Sequence, residues 1–443
     1  MHLSPLLLAA LGLAGVFAGR LVFGRWFNHL ALYSFIWGAG LALFEMRLID
    51  YRPLTVEIWM IVGYAWLAFC VGSITLVLAR IAAGALPDST APIKPVRELA
   101  LENRLLMFSI MVLSTVALAA VLQHWSVLIN RFGGISGVLL NGNRIYHMRN
   151  ANQIPGLIPY VDAFSLTAAF LAGIYGARTG RIGLLALFPL MVVVLEDIGL
   201  VGRAKMLNAG ILFSSAYFLA KIGHATKKTR QFIKKGRRLL MLTLLVAVFF
   251  AATEFVRTSR GAFESFYGTS RELSNFERNA VITPSLYMYL SVHIGVFNAY
   301  WKADKEHSFP GSNTFAPLFR ILARFDIADD VPYFQKFYNI PLSANTGTYL
   351  RELHADFGII GILIVPYLLG FFCTFLWLRI KHRARLTSIA LLTHLYVIVA
   401  FSFLYQVTRL GYWAVSLIAA LFVSSLIDYR CAITPAGRKQ NGS

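Results

Sequence analysis

Residues 105–124 read LLMFSIMVLSTVALAAVLQH, twenty positions without a Lys, Arg, Asp or Glu. At about 1.5 Å of rise per residue, such a helix crosses the roughly 30 Å hydrocarbon core of a bilayer. Working outward, comparable apolar runs recur near 4–23, 29–46, 55–79, 159–176, 182–198, 205–220, 239–256, 356–378, 386–406 and 411–428. The whole chain agrees with its parts: of 443 residues, 57% are hydrophobic and only 14% charged. Soluble domains carry roughly a quarter charged residues. The sequence therefore predicts an all-α integral membrane protein with about 11 transmembrane helices. It divides into 1–256, eight helices with short loops; 257–355, one large loop; and 356–443, three helices and a tail.

The net charge of +20 is explained by where the cations sit. Segment 221–238 holds Lys221, Lys227, Lys228, Arg230, Lys234, Lys235, Arg237 and Arg238 with no acid, and 379–385 holds Arg379, Lys381, Arg383 and Arg385 with none. Short basic loops stay on the cytoplasmic side. Nucleic acid or anionic lipid would also suit the first cluster, but retention is the simpler account, and no nucleic-acid partner is expected. With both loops inside, 125–158, 199–204 and 257–355 fall outside. The last carries ten Lys/Arg against nine Asp/Glu, the balance of a segment free of positive-inside bias. The N-terminal run precedes its first cations, Arg20 and Arg25, which favours retention with the N-terminus outside and the C-terminus inside.

Smaller features fit this frame. Residues 281–301 hold no Lys, Arg, Asp or Glu, yet a crossing there would put 379–385 outside. They are expected to lie on or dip into the outer leaflet, helped by Tyr287, Tyr289, Tyr300 and Trp301. Residues 81–103, with Pro87, Pro92 and Pro95, form a cytoplasmic connector. Cys70, Cys373 and Cys431 suit neither a disulfide nor a metal site. There is no internal repeat, no low-complexity tract, no phosphate-binding Gly-rich loop ending in Lys-Ser/Thr, and no Ser-His-Asp arrangement.

Arginine gathers at the outer ends of the predicted spans. Arg203 lies in GLVGRAKMLNAG (199–210), Arg257 and Arg260 in FVRTSRGAFES (255–265), and Arg351 in TYLRELHADFGIIG (348–361). Arg131, Arg144 and Arg149 lie in the first outer loop. A guanidinium keeps its charge and pairs bidentately with phosphate oxygens, so these positions suit a lipid-linked phosphate or pyrophosphate; they equally suit interface anchors or helix caps. Tyr349, Arg351, Glu352, His354 and Asp356 make the densest constellation. If helical, Arg351 shares a face with His354, and Glu352 with Asp356. A cation for a leaving phosphate beside a proton acceptor is what sugar transfer from a lipid pyrophosphate requires. Asp356, just before Phe357 and Gly358, is as well suited to capping a helix. Asp326, Asp329 and Asp330, and the isolated His293 and His307, give no clear metal set. No metal and no cofactor are expected.

This layout resembles the bacterial oligosaccharide repeat-unit (O-antigen) polymerases, and more distantly the O-antigen ligases. The pieces that carry the resemblance are GRAKMLNAG from Gly202, RTSRGAF from Arg257 and NTGTYLRELHADFGIIG from Asn345. The ligases typically carry a His-Asn pair where this chain reads Ser343, Ala344, Asn345, Thr346, which favours polymerase. The resemblance implies a membrane glycosyltransferase of the C type in a bacterial inner membrane, with its large loop in the periplasm. The implied reaction moves a growing glycan from undecaprenyl pyrophosphate to the non-reducing end of a lipid-linked repeat unit. Arg203, Arg257, Arg260, Arg351 and Arg144 would hold pyrophosphate; His354, or else Glu352 or Asp356, would accept the proton. Tyr349 and Tyr338 would contact sugar, while Tyr333, Phe334 and Phe337 suit either sugar stacking or loop packing. Lipid-linked oligosaccharides, membrane lipids, a chain-length regulator and a flippase are the implied partners. A ligase and a lipid-linked oligosaccharide flippase or transporter are the competing readings.

Overall fold

Pro5 opens the first helix in the computed structural model, which describes residues 2–84, 96–150, 153–154, 156, 158–223, 258, 269–278, 283–303 and 307–433. The expected span 239–256, nearly all of the 221–238 cluster, Arg257 and Arg260 lie outside the described residues. The main helices are α1 (Pro5–Phe23), α2 (His29–Glu45), α3 (Val56–Ala82), α4 (Val96–Phe132), α5 (Ile135–Leu140), α6 (Gly142–Asn150), α7 (Phe164–Thr179), α8 (Leu184–Gly199) and α9 (Ala204–Gly223). They continue with α10 (Arg271–Arg278), α11 (Pro284–Ser291), α12 (His293–Lys302), α13 (Ala316–Ala323), α14 (Thr348–His382), α15 (Leu386–Phe401) and α16 (Gly411–Ile433). Among the described residues the sheet is one hairpin, β1 (Tyr338–Ile340) against β2 (Leu342–Ala344), with Tyr338 opposite Ala344.

The helices are packed as lipid requires. Leu6, Leu21, Phe108, Ile360, Ile418 and Phe422 are each more than 60% exposed, while Ser34, Ser73, Ser114, His29, Thr374 and Thr393 are buried. In water so much exposed apolar surface would drive association; against acyl chains it is neutral. Among the described residues, five helices are long and apolar enough to cross a membrane: α1, α3, α14, α16 and residues 98–132 of α4. The chain is thus an all-α membrane protein. Helices α7 and α8, at 16 residues each, rise only about 24 Å, less than the full core.

Local signals set the ends. Asn28 caps α2 by accepting from Ala31 N at 2.9 Å, and Thr55 caps α3 at Ile58 N. Asp428 accepts from Leu386 N and Thr387 N, both at 3.1 Å, so α15 is capped by a side chain from α16.

Contacts divide the chain into two units: Met1–Pro87, Phe263–Phe375 and Leu395–Gly411; and Asp88–Ala262, Leu376–His394 and Tyr412–Ser443. From residue 269 on, the described part of 257–355 belongs to the first unit. There α2 presents His29, Tyr33 and Trp37 at i, i+4 and i+8. Their polar tips meet Thr374 Oγ1 at 2.8 Å, Tyr349 OH at 2.9 Å and Ser402 Oγ at 2.9 Å.

Within the apolar stretch 281–301, α11 runs on into α12 through Val292, whose φ of −63° and ψ of −24° stay helical and whose N–H and C=O bond to Met288 O and Val296 N at 2.9 and 3.0 Å. Helices of 8 and 10 residues joined by one helical residue rise about 28 Å together, so it is what they bond to, and not their length, that speaks for the outer face. Their polar groups are tied to the α2–α3 connection: Tyr51 OH bonds to Ser291 Oγ at 2.8 Å, Asn298 Nδ2 donates to Pro53 O at 3.3 Å, and Trp301 Nε1 donates to Glu57 at 2.7 Å. Burial within the unit also holds the His293 imidazole below the usual histidine range.

In the second unit Ala117, Val121 and Val192 form a core with Trp125, Phe164 and Phe188 against it. Trp125 Nε1 donates to Leu195 O at 2.9 Å, and Arg178 pairs with Glu102 at 2.9 Å.

Candidate anion site on the loop-bearing unit

Helix α14 begins Thr-Tyr-Leu-Arg-Glu-Leu-His-Ala-Asp-Phe and breaks at Gly358, whose φ of 62° and ψ of −153° belong to glycine alone. The break separates the polar first ten residues from the apolar remainder. Arg351, Glu352, His354 and Asp356 are each at most 5% exposed. Four ionisable groups buried in so short a stretch need partners, and each finds a different one.

Asp356 is saturated. Ser308 Oγ, Asn313 N and Asn313 Nδ2 donate to its Oδ1 at 2.8, 3.0 and 2.9 Å; Thr314 N and Oγ1 donate to Oδ2, each at 2.7 Å. A carboxylate with about four lone-pair positions and five donors has no room for a reacting hydroxyl, so Asp356 fixes the 308–314 turn. His354 Nδ1 bonds to Tyr300 OH at 2.9 Å, and its ring lies edge-on to Trp301 at 4.8 Å.

Arg351 extends between Tyr300 and Tyr338, its guanidinium carbon 5.4 and 5.3 Å from their ring centres. Nη1 donates to Asn345 O at 2.8 Å; Nη2 is buried without a hydrogen-bond partner among the described residues. The hairpin supplies both restraints, since Tyr338 opens β1 and Asn345 follows β2.

Two further arginines complete the site. Arg409, in the turn between α15 and α16, is 5% exposed. Its Nη2 donates to Pro332 O at 2.7 Å, while Nη1, like Arg351 Nη2, is buried without a hydrogen-bond partner among the described residues. Arg320 donates to Arg409 O at 2.9 Å and Val331 O at 3.0 Å, and stacks on Tyr333 at 4.0 Å. Glu352 lies within the fields of both Arg351 and Arg409, one of its oxygens buried without a hydrogen bond. Arg351 and Arg409 both act on Glu352, Asp356 also acts on Arg409, and each of the two guanidiniums keeps a buried nitrogen without a hydrogen-bond partner among the described residues.

Sequence reading missed Arg409, Arg320 and the role of Tyr300. Arg409 carried a usable signal: it is the one Lys, Arg, Asp or Glu between Arg385 and Asp428. Tyr349, expected at a sugar, is 1% exposed and bonded to Tyr33 inside the helix packing. Tyr338 is half-buried against Arg351, whereas Tyr333, Phe334 and Phe337 are exposed.

Arg203 and Arg144 belong to the second unit. Arg203 is half-buried ahead of α9, and Arg144 is exposed with its guanidinium 6.0 Å from the Phe132 ring. The neighbouring Lys205 is gripped by Asp162 and Glu196. Asp197 accepts from Met206 N at 2.9 Å. Gly202 makes this possible, because a Cβ there would meet Asp197 Oδ1 at 2.2 Å. Arg149 donates to Leu200 O at 2.9 Å. Among the described residues no group of three or more His, Cys, Asp or Glu converges as metal ligands do.

No family model, curated protein or solved structure matches the chain.

Proposed function

We propose that this chain is a glycan polymerase of a bacterial inner membrane. It would transfer a growing glycan from undecaprenyl pyrophosphate to the non-reducing end of a lipid-linked repeat unit. The observation that carries this reading is the pair of buried guanidiniums, Arg351 and Arg409, each with an unpartnered nitrogen beside Glu352. Such a pair suits a membrane-borne anion with several oxygens, since each planar fork holds two of them. In the proposed step the acceptor hydroxyl oxygen bonds to the anomeric carbon as the carbon–oxygen bond to pyrophosphate breaks. His354, oriented by Tyr300, takes the hydroxyl proton, and the arginines hold the charge that the leaving pyrophosphate gains. Asp356 supports the site and does not take the proton. The eleven-span path, with the large loop in the periplasm and the C-terminus in the cytoplasm, belongs to the same proposal.

The test is reconstitution of the full chain in proteoliposomes with undecaprenyl pyrophosphate-linked repeat units. The native protein should yield a ladder of products that EDTA leaves intact. Arg351→Lys and Arg409→Lys keep the charge and lose the fork, and each should slow the reaction about tenfold to a hundredfold, the cost of one charged hydrogen bond. A native protein that gives no ladder with cognate substrate would sink the reading, as would lysine variants as active as the parent. Products found on lipid A core instead would assign a ligase. A lipid-linked oligosaccharide flippase is the second reading, favoured by the half-buried Lys205 paired with buried Asp162 and Glu196 among apolar helices. It predicts transbilayer movement without new glycosidic bonds, and greater damage from Lys205→Ala than from Arg351→Lys.

A further inference from the structure

The segment following the Asp356-bound turn carries an apolar stripe that the anion site leaves unused. Phe315, Leu318, Ile321 and Phe325, spaced three to four residues apart along and just beyond α13, are 57, 53, 53 and 69% exposed; Phe309 and Ile327, each 69% exposed, extend the patch at either end. The opposite face of α13 is turned into the protein. Ala316 is buried, and Arg320 is spent on the carbonyls of Val331 and Arg409. This is the pattern of a helix that lies in a boundary between two solvents.

Two observations name the apolar solvent. The patch adjoins the lipid-facing side of α14: a Cβ on Gly311 would sit 3.3 Å from the Phe315 ring and 3.7 Å from the Phe357 ring. Phe357, Ile359, Ile360 and Ile364, 37 to 61% exposed, then carry that apolar surface along the spanning helix. The patch is also held at this level, because Ser308 N donates to Ala355 O at 3.0 Å and Asp356 binds Asn313 and Thr314. At the Phe325 end the stripe meets charge, with Asp326, Asp329 and Asp330 exposed around Ile327. A stripe continuous with a bilayer-facing helix on one side and edged by acids on the other fits the boundary between acyl chains and headgroups.

We infer that Phe309–Ile327 is a membrane-interface anchor, with Phe315, Leu318 and Ile321 inserted among the acyl chains of the leaflet where α14 emerges. Its occupant is bulk bilayer lipid. The inference rests on the chain being a membrane protein and not on the transferase reading. Because Arg320 projects from the same helix to Arg409 O, lipid contact would also steady the arginine site.

The test uses the full chain in lipid nanodiscs, with Cys70, Cys373 and Cys431 replaced by Ala and an environment-sensitive fluorophore placed by Leu318→Cys or, as control, Asp329→Cys. At Leu318, phosphatidylcholine brominated near the top of its acyl chains should quench the emission several-fold more than aqueous iodide does. At Asp329 the order should reverse. Iodide quenching at Leu318 as strong as at Asp329 would overturn the inference. So would protection from both quenchers, which means protein contact. Should the cysteine-free chain fail to fold, a photoreactive benzophenone amino acid at Leu318 in the otherwise native chain gives the reading by mass. A lipid adduct supports the anchor, and a cross-linked second copy or an adduct-free product overturns it.

Discussion

Tyr300 makes two contacts of different chemistry at once: its ring face receives the Arg351 guanidinium, and its hydroxyl meets His354 Nδ1. Substitution can separate them. Tyr300→Phe keeps the cation–π contact, worth about 0.5–2 kcal/mol, and removes the hydrogen bond that orients the imidazole. If His354 takes the proton, kcat in the reconstituted assay should fall about tenfold, matching about 1.4 kcal/mol, with KM for the lipid-linked substrate little changed and the pH profile altered. Tyr300→Leu should also raise KM. Equal effects of the two variants on both constants would reduce Tyr300 to packing. Asp356 gives the complementary prediction. Asp356→Ala strands five donors in a buried turn, and charged hydrogen bonds contribute about 1.5–3 kcal/mol each. The variant should therefore lower the unfolding midpoint in detergent and open 308–314 to protease; unchanged stability and protection would refute its bracing role. The sequence offers His354 as the first proton acceptor and Asp356, two residues on, as either an acceptor or a helix cap. Their partners come from positions about 40 to 55 residues earlier, and that pairing exists only after folding.

Elements were legible where one physical signal dominates. Apolar runs mark α1, α3, α14 and α16 because lipid selects composition directly. The run 281–301 shows the limit of that signal. Its composition fits a span, but Tyr51, Asn298 and Trp301 fasten it to the α2–α3 connection and the start of α3 through bonds that composition does not encode. Arg409 was passed over for a related reason: a lone charge between two apolar runs reads as a loop end until Pro332 and Arg320 are brought to it. Within α14 the decisive point is Gly358, visible in sequence only as one glycine among many. A Cβ there meets nothing within 4 Å, so Gly358→Ala would strain the backbone without a clash. That conformation costs a non-glycine residue of order 1–3 kcal/mol. Straightening the helix relieves the strain, but turns Thr348–Phe357 against Tyr33, Tyr300 and the 308–314 turn. Gly358→Ala should therefore impair activity while leaving helix content by circular dichroism unchanged. Full activity would mean that the break does not set the site.

For the whole molecule, the proposed path is constrained by which helix ends touch. Within the first unit, the α2–α3 connection bonds to α11 and α12, and Arg320 reaches Arg409. Within the second, Glu102 pairs with Arg178 and Asp428 caps α15, while Arg149 bonds to Leu200 and Lys205 to Asp162. On an eleven-span path each of these pairs falls on a single side of the membrane. Reading 281–301 as a further crossing would part the α2–α3 connection from the end of α12, since 46–55 and 302–303 would then face opposite compartments, while Arg320 and Arg409 would still share a side. The cations give the direction: Arg178 and Arg181 share their expected side with the 379–385 cluster, which positive-inside bias assigns to the cytoplasm. Single cysteines replacing Lys302, Asp329, Arg181 and Arg383, in a chain whose native cysteines are replaced by Ala, test the whole arrangement. Lys302→Cys and Asp329→Cys should react with a membrane-impermeant maleimide on intact cells with a permeabilised outer membrane. Arg181→Cys and Arg383→Cys should react only after the inner membrane is opened. Equal reaction of Lys302→Cys and Arg383→Cys from outside would break the path between them. The arginine site and the basic cluster would then face the same compartment, and a lipid-linked donor on the periplasmic leaflet would no longer follow from the charge distribution.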